Sequence, residues 1–341
     1  MIRRLLILAV LTASPVWAQE AADAVAPEEA TVTGFGPVSA ETAAALDAKS
    51  KNVPVEASDW MVAAANPHAV EAGATVLRAG GTAADAMVAV QAVLGLVEPQ
   101  SSGLGGGAFL VWYDGATGEI TTLDGRETAP LEARPTLFHN ADGEPLKFFD
   151  AVVGGRSVGT PGTPALMQAA HDSWGKSAWA GLFSDAIRMA DEGFPVSARL
   201  AGLISGDAER LSRFKATRDY FLPGGEPIAE GTTLVNAAYA NTLRAIAARG
   251  AEAFYTGRIA EDVVATVRSA DGNAGVLSLT DLALYQVHER SAVCVDYRDH
   301  DVCGMGPPSS GALTVGQILG MLDYYDLADH APDDPEAWRL I

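Results

Sequence analysis

Chemistry is concentrated in few places along this chain. Asp124-Gly125-Arg126-Glu127-Thr128-Ala129-Pro130 sets a guanidinium just past a run that reads as a core strand. A guanidinium presents a planar fork of N–H donors that fits a carboxylate in a bidentate pair, so Arg126 is the candidate for gripping the acid group of a ligand. The same residue types also build a structural ion pair within the protein, and spacing alone leaves both readings open. Ser101-Ser102-Gly103-Leu104-Gly105-Gly106-Gly107-Ala108 meets the dinucleotide-binding fingerprint by letter. That fingerprint requires strand, glycines and helix in this order, because the pyrophosphate rests on the helix N-terminus. Here a helix leads in and a strand leads out, so the glycines are expected to serve close backbone packing or positive φ instead. Cys294 and Cys303 flank eight residues, and a hairpin about Arg298-Asp299 sets them opposite each other, as a cross-strand disulfide or as two buried thiols. The six histidines, at 68, 139, 171, 288, 300 and 330, lack metal-ligand spacing, and no metal or other cofactor is expected. Nucleophilic options are few, and no catalytic residue is assigned within the chain.

The elements that must position these groups follow from hydrophobic period and caps. Asn66-Pro67 caps a helix over residues 68–79, with Val70, Gly73 and Leu77 on one face and Gly80-Gly81 as its stop. Thr82-Ala83-Ala84-Asp85 fits a capping box, and residues 87–97 are apolar almost all round, which predicts a helix buried on both sides. Residues 108–113 and 119–124, joined by Asp114-Gly115-Ala116-Thr117-Gly118, read as a β-hairpin. Helices are expected over 165–173, 184–192, 236–249, 259–269 and 313–322, with strand-like material at 292–303. Asp334-Pro335 opens a last short helix. Helices before, between and after antiparallel strands predict an α+β or layered arrangement rather than a doubly wound parallel sheet.

Composition bounds the function classes. The chain has 341 residues, 48% of them apolar and 19% charged, which suits a globular protein. Lys and Arg number 23 against 43 Asp and Glu, a formal charge of -20 that repels phosphate backbones, so no nucleic-acid partner is expected. Arg3-Arg4, the apolar run from Leu5 to Leu11 and the small-residue site Val16-Trp17-Ala18 form a secretory signal over 1–18, which predicts a periplasmic or secreted protein. The run falls short of the roughly 20 residues that span a bilayer, so no membrane association is expected after cleavage. Residues 19–59 show no sustained period and read as an extended, flexible leading segment, and residues 60–341 as one folding unit.

Seven segments in a fixed order give the chain a family likeness. They are Met61-Val62-Ala63-Ala64-Ala65-Asn66-Pro67, Gly80-Gly81-Thr82-Ala83-Ala84-Asp85-Ala86, the stretch from Val97-Glu98-Pro99 through Gly107, Asp124-Gly125-Arg126-Glu127-Thr128-Ala129-Pro130, Gly159-Thr160-Pro161-Gly162, Leu279-Thr280-Asp281-Leu282-Ala283-Leu284-Tyr285, and Pro307-Pro308-Ser309-Ser310-Gly311. Together they resemble the large-subunit portion of the γ-glutamyltransferase (glutathione hydrolase) family. The resemblance implies an N-terminal-nucleophile hydrolase fold, an αββα four-layer sandwich present here in part, with residues 60–341 a large-subunit-like domain truncated at its C-terminal end. It also implies a precursor that cuts itself, freeing a Thr nucleophile within a Thr-Thr-His-x-Ser pattern whose own α-amine acts as base. The Thr pairs here, Thr121-Thr122 and Thr232-Thr233, are both followed by Leu. The implied nucleophile therefore belongs to a small subunit absent from these residues, and the chain alone is expected to be inactive. Arg126 matches the family residue that binds the donor's α-carboxylate, which implies glutathione or a related γ-glutamyl compound as partner. A cephalosporin or glutaryl acylase of the same superfamily and a non-catalytic γ-glutamyl-binding module are the alternatives.

Overall fold

The structure, a computed structural model, describes residues 35–341, so the expected export signal over 1–18 lies outside the described residues. Within the segment expected to be extended, helix α1 (Ala40–Ser50) forms instead, started by Ser39, whose hydroxyl accepts from the Thr42 N–H. Alanine-rich sequence and a good cap favour a helix, and only Thr42 on it is buried, so no apolar period betrays it. Helix α2 (Pro67–Arg78) begins where Asn66 Oδ1 accepts from the His68 N–H at 3.0 Å. Its buried face is Ala69, Ala72 and Gly73, which keeps the expected Gly73 but is rotated away from the expected Val70 and Leu77. Packing against the next helix explains the rotation: a Cβ on Gly73 would lie 2.7 Å from Val90 Cγ2, so the small residues set the contact.

Helix α3 (Ala83–Val97) has the expected capping box of Thr82 and Asp85 and is buried nearly all round, Val88, Ala92 and Val93 having no exposure. Asp85 does more than cap. Its carboxylate also accepts from the Lys176 and Ser177 N–H groups, and although burial pushes its pKa up, the N–H donors of Thr82, Ser177 and Lys176 hold it below the ordinary value. Truncating a residue such as Val93 in this close-packed layer costs about 1–3 kcal/mol through lost contacts and the cavity left behind.

Strands β1 (Ala108–Tyr113) and β2 (Ile120–Gly125) pair antiparallel, Leu110 opposite Leu123 and Ala108 opposite Gly125. The chain then passes through the short helix α4 (Phe148–Val152) to α5 (Thr163–Trp174), which covers this sheet: Leu166 and Ala170 pack with Leu123, and Trp174 stacks on Trp112 with ring centroids 4.6 Å apart. Helix α6 (Ser184–Glu192) and the helix Ala237–Arg249 complete the core around α3, beside the small pair β3 (Phe194–Pro195) and β4 (Thr233–Leu234). Strand β5 (His288–Ser291) joins the edge of β2, giving a sheet of order β1-β2-β5.

Strands β6 (Val293–Tyr297) and β7 (His300–Gly304) form a separate hairpin turning at Arg298 and Asp299, both with positive φ, and Cys294 and Cys303 face each other and are joined as a disulfide. The helix Gly311–Leu322 packs on it. The architecture is α+β, with helices on small antiparallel sheets. Among the described residues no helix is long and apolar enough to cross a membrane, and no cluster of His, Cys, Asp and Glu could hold a metal ion.

Candidate functional site

The end of β2 is where the fold narrows onto Arg126. Its backbone N–H donates to Asp124 Oδ1 at 2.9 Å, and the Tyr285 hydroxyl donates to its carbonyl at 2.8 Å, so the residue is pinned from both sides. Asp124 is itself buried and accepts from Arg290 Nε at 2.8 Å, a cross-strand contact from β5. Burial, then the nearby Asp124 and Glu127 carboxylates, push the Tyr285 hydroxyl up to about 12. It stays a neutral donor throughout the physiological range. Tyr285 stacks on Tyr255 with centroids 5.7 Å apart, and Tyr255 donates to the Pro161 carbonyl, tying this wall to the start of α5.

Two glycine contacts let these backbones meet. A Cβ on Gly162 would collide with the Gly125 carbonyl and the Tyr285 hydroxyl, and one on Gly107 would lie 2.7 Å from the Glu127 nitrogen. The Gly106 carbonyl accepts from Gly162 and Thr163 N–H groups at 2.8 and 3.1 Å. Of the glycines of 103–107, Gly107 serves close packing, whereas Gly103 and Gly105 have open space where a Cβ would lie; none has positive φ. Thr128 and Thr160 form an isolated antiparallel bridge, and Asp281, capped by Ser278, reaches across to accept from the Leu131 N–H at 2.7 Å.

The Arg126 side chain is 57% exposed and free to meet a ligand. Its Nε lies 3.3 Å from Glu127 Oε2 and its guanidinium 5.9 Å from the Phe109 ring centre. It lines an open cavity of about 630 Å³ with Glu127, Thr128, Arg134, Arg156 and Gly159 among its walls. A concave site with a few convergent charged groups is how small-ligand pockets are built. The internal Arg126–Glu127 contact is present as the structural reading expected, and the exposure leaves the guanidinium's Nη groups for an outside acid.

Sequence reasoning missed Tyr285, Arg290, Arg134 and Arg156 as neighbours of this place; nothing in their spacing from Arg126 signals it. It also passed over two letter matches to nucleophile motifs. Gly155-Arg156-Ser157-Val158-Gly159 reads as an elbow, but it lies in a loop rather than between a core strand and a helix, and its Ser157 hydroxyl donates to the Val152 carbonyl. Ser173-Trp174-Gly175-Lys176 ends helix α5, its Ser173 hydroxyl bonded to the Ala169 carbonyl. Neither is a nucleophile in this geometry. Cys294 and Cys303 sit in their own hairpin and are absent from the cavity wall.

Comparison with known proteins decides the family. The sequence profile described as Gamma-glutamyltranspeptidase matches residues 69–341. The chain belongs to the γ-glutamyltranspeptidase family. Glutathione hydrolase proenzyme of Bacillus subtilis (strain 168) is 39% identical over 283 residues, 83% of this chain and 48% of that protein, and the Escherichia coli (strain K12) counterpart is 34% identical over 289 residues, 84% and 49%. The chain spans about half the length of these curated relatives. The crystal structure of Helicobacter pylori γ-glutamyltranspeptidase superposes with a TM-score of 0.80 at 32% identity, covering 84% of this chain and 81% of that one. A cephalosporin acylase from Bacillus halodurans superposes at 0.71 and 28% identity, over 84% of this chain and 54% of that one. The γ-glutamyltranspeptidase family is one of enzymes, and it places this α+β chain among N-terminal-nucleophile hydrolases.

Proposed function

We propose that this chain supplies the donor-binding part of a γ-glutamyl-transfer site, with Arg126 gripping the α-carboxylate of glutathione or a related γ-glutamyl compound. The observation that carries the reading is a guanidinium exposed at a cavity wall while its own backbone is held by Asp124 and Tyr285. A held backbone fixes where the side chain starts from, so the planar fork meets a bound carboxylate at a set place on the cavity wall. The attacking group is a Thr hydroxyl at the start of a small subunit from the same precursor. Its α-amine takes the hydroxyl proton as the oxygen bonds to the γ-carbonyl carbon, the amide C–N bond breaks, and that proton leaves with the amine. Water or an amino acid amine then attacks the γ-glutamyl ester and frees the hydroxyl. No Thr-Thr-His-x-Ser pattern occurs in the 341 residues, so they do not turn over a γ-glutamyl anilide alone. Residues 1–18 direct the protein to the periplasm or the outside.

A glutaryl acylase is the second reading, favoured by an acylase proenzyme of Pseudomonas sp. (strain SE83) at 32% identity and by the cephalosporin acylase superposition. A glutaryl group is a γ-glutamyl group without its α-amine. Arg126 meets the same carboxylate in both, so the choice rests on whatever faces the amine. The test is calorimetric titration of the chain with glutathione and with a glutaryl amide. Binding of glutathione that Arg126→Ala abolishes is expected. Turnover of the anilide by the chain alone, or glutathione affinity untouched by Arg126→Ala, overturns the proposal.

A further inference from the structure

The cavity beside Arg126 holds more positive charge than its family role requires. In a chain with 23 basic against 43 acidic residues, its walls carry three arginines, Arg126, Arg134 and Arg156, and one carboxylate, Glu127. Glu127 lies against Arg126. Neither Arg134 nor Arg156 pairs with a carboxylate among the described residues.

Arg156 is partly buried, and one of its Nη groups donates to the Leu137 carbonyl at 3.0 Å, while its Nε is buried with no partner. Arg134 is exposed at the cavity edge; its backbone carbonyl accepts from the Leu137 N–H, while its side chain makes no hydrogen bond or ion pair with another described residue. A buried guanidinium donor without an acceptor is costly, and Arg134 and Arg156 both line the cavity with guanidinium charge that no described carboxylate takes up. The bridge between Thr128 and Thr160 orders these groups in space. Arg126 lies just before Thr128 in the chain, and Arg134 and Arg156 lie within the segment that the bridge closes, so one cavity wall brings together arginines from separate stretches of chain.

Resting on the donor-site reading of Arg126, we infer that Arg134 and Arg156 form a second anion subsite, which selects γ-glutamyl compounds carrying a carboxylate beyond the γ-amide bond. The ligand class is thus an acidic amino acid in γ-linkage, its α-carboxylate on Arg126 and its distal acid between Arg134 and Arg156. Two guanidiniums with little internal compensation favour such a doubly anionic ligand over one with a neutral leaving part.

Calorimetric titration of the 341-residue chain with γ-glutamyl-glutamate and with γ-glutamyl-ethylamide tests this. The dipeptide is expected to bind roughly tenfold more tightly, the gain of one charge-assisted contact. Arg134→Gln and Arg156→Gln each bring the dipeptide down to the ethylamide's affinity and leave the ethylamide unchanged. Arg156 also bonds to the Leu137 carbonyl, so Arg156→Lys, which keeps the charge, and the exposed Arg134→Gln guard against misfolding, with circular dichroism as the check. Equal affinity for the two ligands in the unaltered chain, or dipeptide affinity indifferent to Arg134→Gln and Arg156→Gln, overturns the second subsite. Arg126→Gln weakens both ligands alike if the donor-site reading holds. Indifference to Arg126→Gln sinks that reading while the Arg134 result still decides the subsite, and binding of neither ligand sinks both.

Discussion

The link between Asp124 and Arg290 is the most direct place to ask whether the sheet positions Arg126. Asp124 is 6% exposed, and its carboxylate serves the Arg126 N–H and Arg290 Nε at 2.9 and 2.8 Å. In Asp124→Asn the amide oxygen can keep the Arg126 N–H, but the NH₂ then faces the Arg290 donor, and one charge-assisted bond is lost. Such a bond contributes about 1.5–3 kcal/mol when buried. The Arg290 side chain is 42% exposed, so solvent screening reduces this to about 1–2 kcal/mol. For a chain of this size that lowers the melting temperature by roughly 1–3 °C. Arg290→Gln leaves the buried carboxylate with one donor and costs a similar amount. The double variant costs less than the two singles together, by about 1 kcal/mol, because the second change removes a partner already lost. Thermal and urea unfolding of the four proteins measure the cycle. Asp124→Asn leaves γ-glutamyl affinity within about threefold, since the Arg126 N–H stays held, whereas Asp124→Ala frees it and weakens binding further. Strict additivity of the singles would refute the idea that this pair braces the site, and unchanged binding in Asp124→Ala would refute the claim that the brace reaches Arg126.

Other perturbations reach other parts of the molecule. Gly162→Ala drives a methyl into the Gly125 carbonyl and Tyr285 hydroxyl and should destabilise the chain by about 1–3 kcal/mol while weakening ligand binding; an unchanged melting temperature contradicts the close approach. Opening the Cys294–Cys303 disulfide, whose partners are 9 positions apart, is expected to remove about 2–3 kcal/mol from the hairpin, seen as faster amide exchange at β6 and β7 in Cys294→Ser than elsewhere. The side-chain hydrogen bond from His330 to Asp334, 2.8 Å long, raises the imidazole above its ordinary 6.5 and lowers the carboxyl below 3.8. The imidazolium's contribution is full below pH 6.5 and fades as pH rises through the raised value; the carboxylate's is full above pH 3.8 and fades as pH falls through the lowered one. An imidazole titration by NMR should show the elevated midpoint, and Asp334→Asn should return it to normal.

How far the sequence announces this structure depends on whether the information is local. Thr82 and Asp85 cap α3 through neighbouring backbone, and the apolar circuit that follows needs no partner to be recognised, so that helix was legible. The hairpin β1–β2 and the turn at Arg298-Asp299 were legible for the same reason, since alternation and turn residues lie within a few positions of each other. Helix α1 was not, because it buries little and so leaves no periodic trace. The buried face of α2 was only partly legible: Gly73 lies on it as expected, but size draws attention to Val70 and Leu77, while the interhelical contact selects Ala69 and Ala72 beside Gly73. The surroundings of Arg126 were beyond reach, as Tyr285 and Arg290 arrive from more than 150 positions away. Only the family likeness, and no local pattern, lifted Arg126 above a structural ion pair.

The same distances explain why the site is built from several elements at once. A strand end alone leaves a long arginine free to sample many rotamers, and its affinity for a carboxylate is then spent on ordering. Here β2 supplies Asp124, β5 supplies Arg290, the segment after Leu284 supplies Tyr285, and the glycines at 107, 125 and 162 let these backbones close around one residue. Each contact restrains the Arg126 backbone, and none uses its Nη groups. A fixed base with a free guanidinium is what recognition of a small acid demands, because the fork must meet both carboxylate oxygens together. Arg134 and Arg156 are braced by fewer elements: the Arg134 side chain has no partner among the described residues, and the Arg156 guanidinium holds a single carbonyl. Their part in recognition is therefore charge more than geometry, and the second subsite should weaken with salt far more steeply than the grip of Arg126.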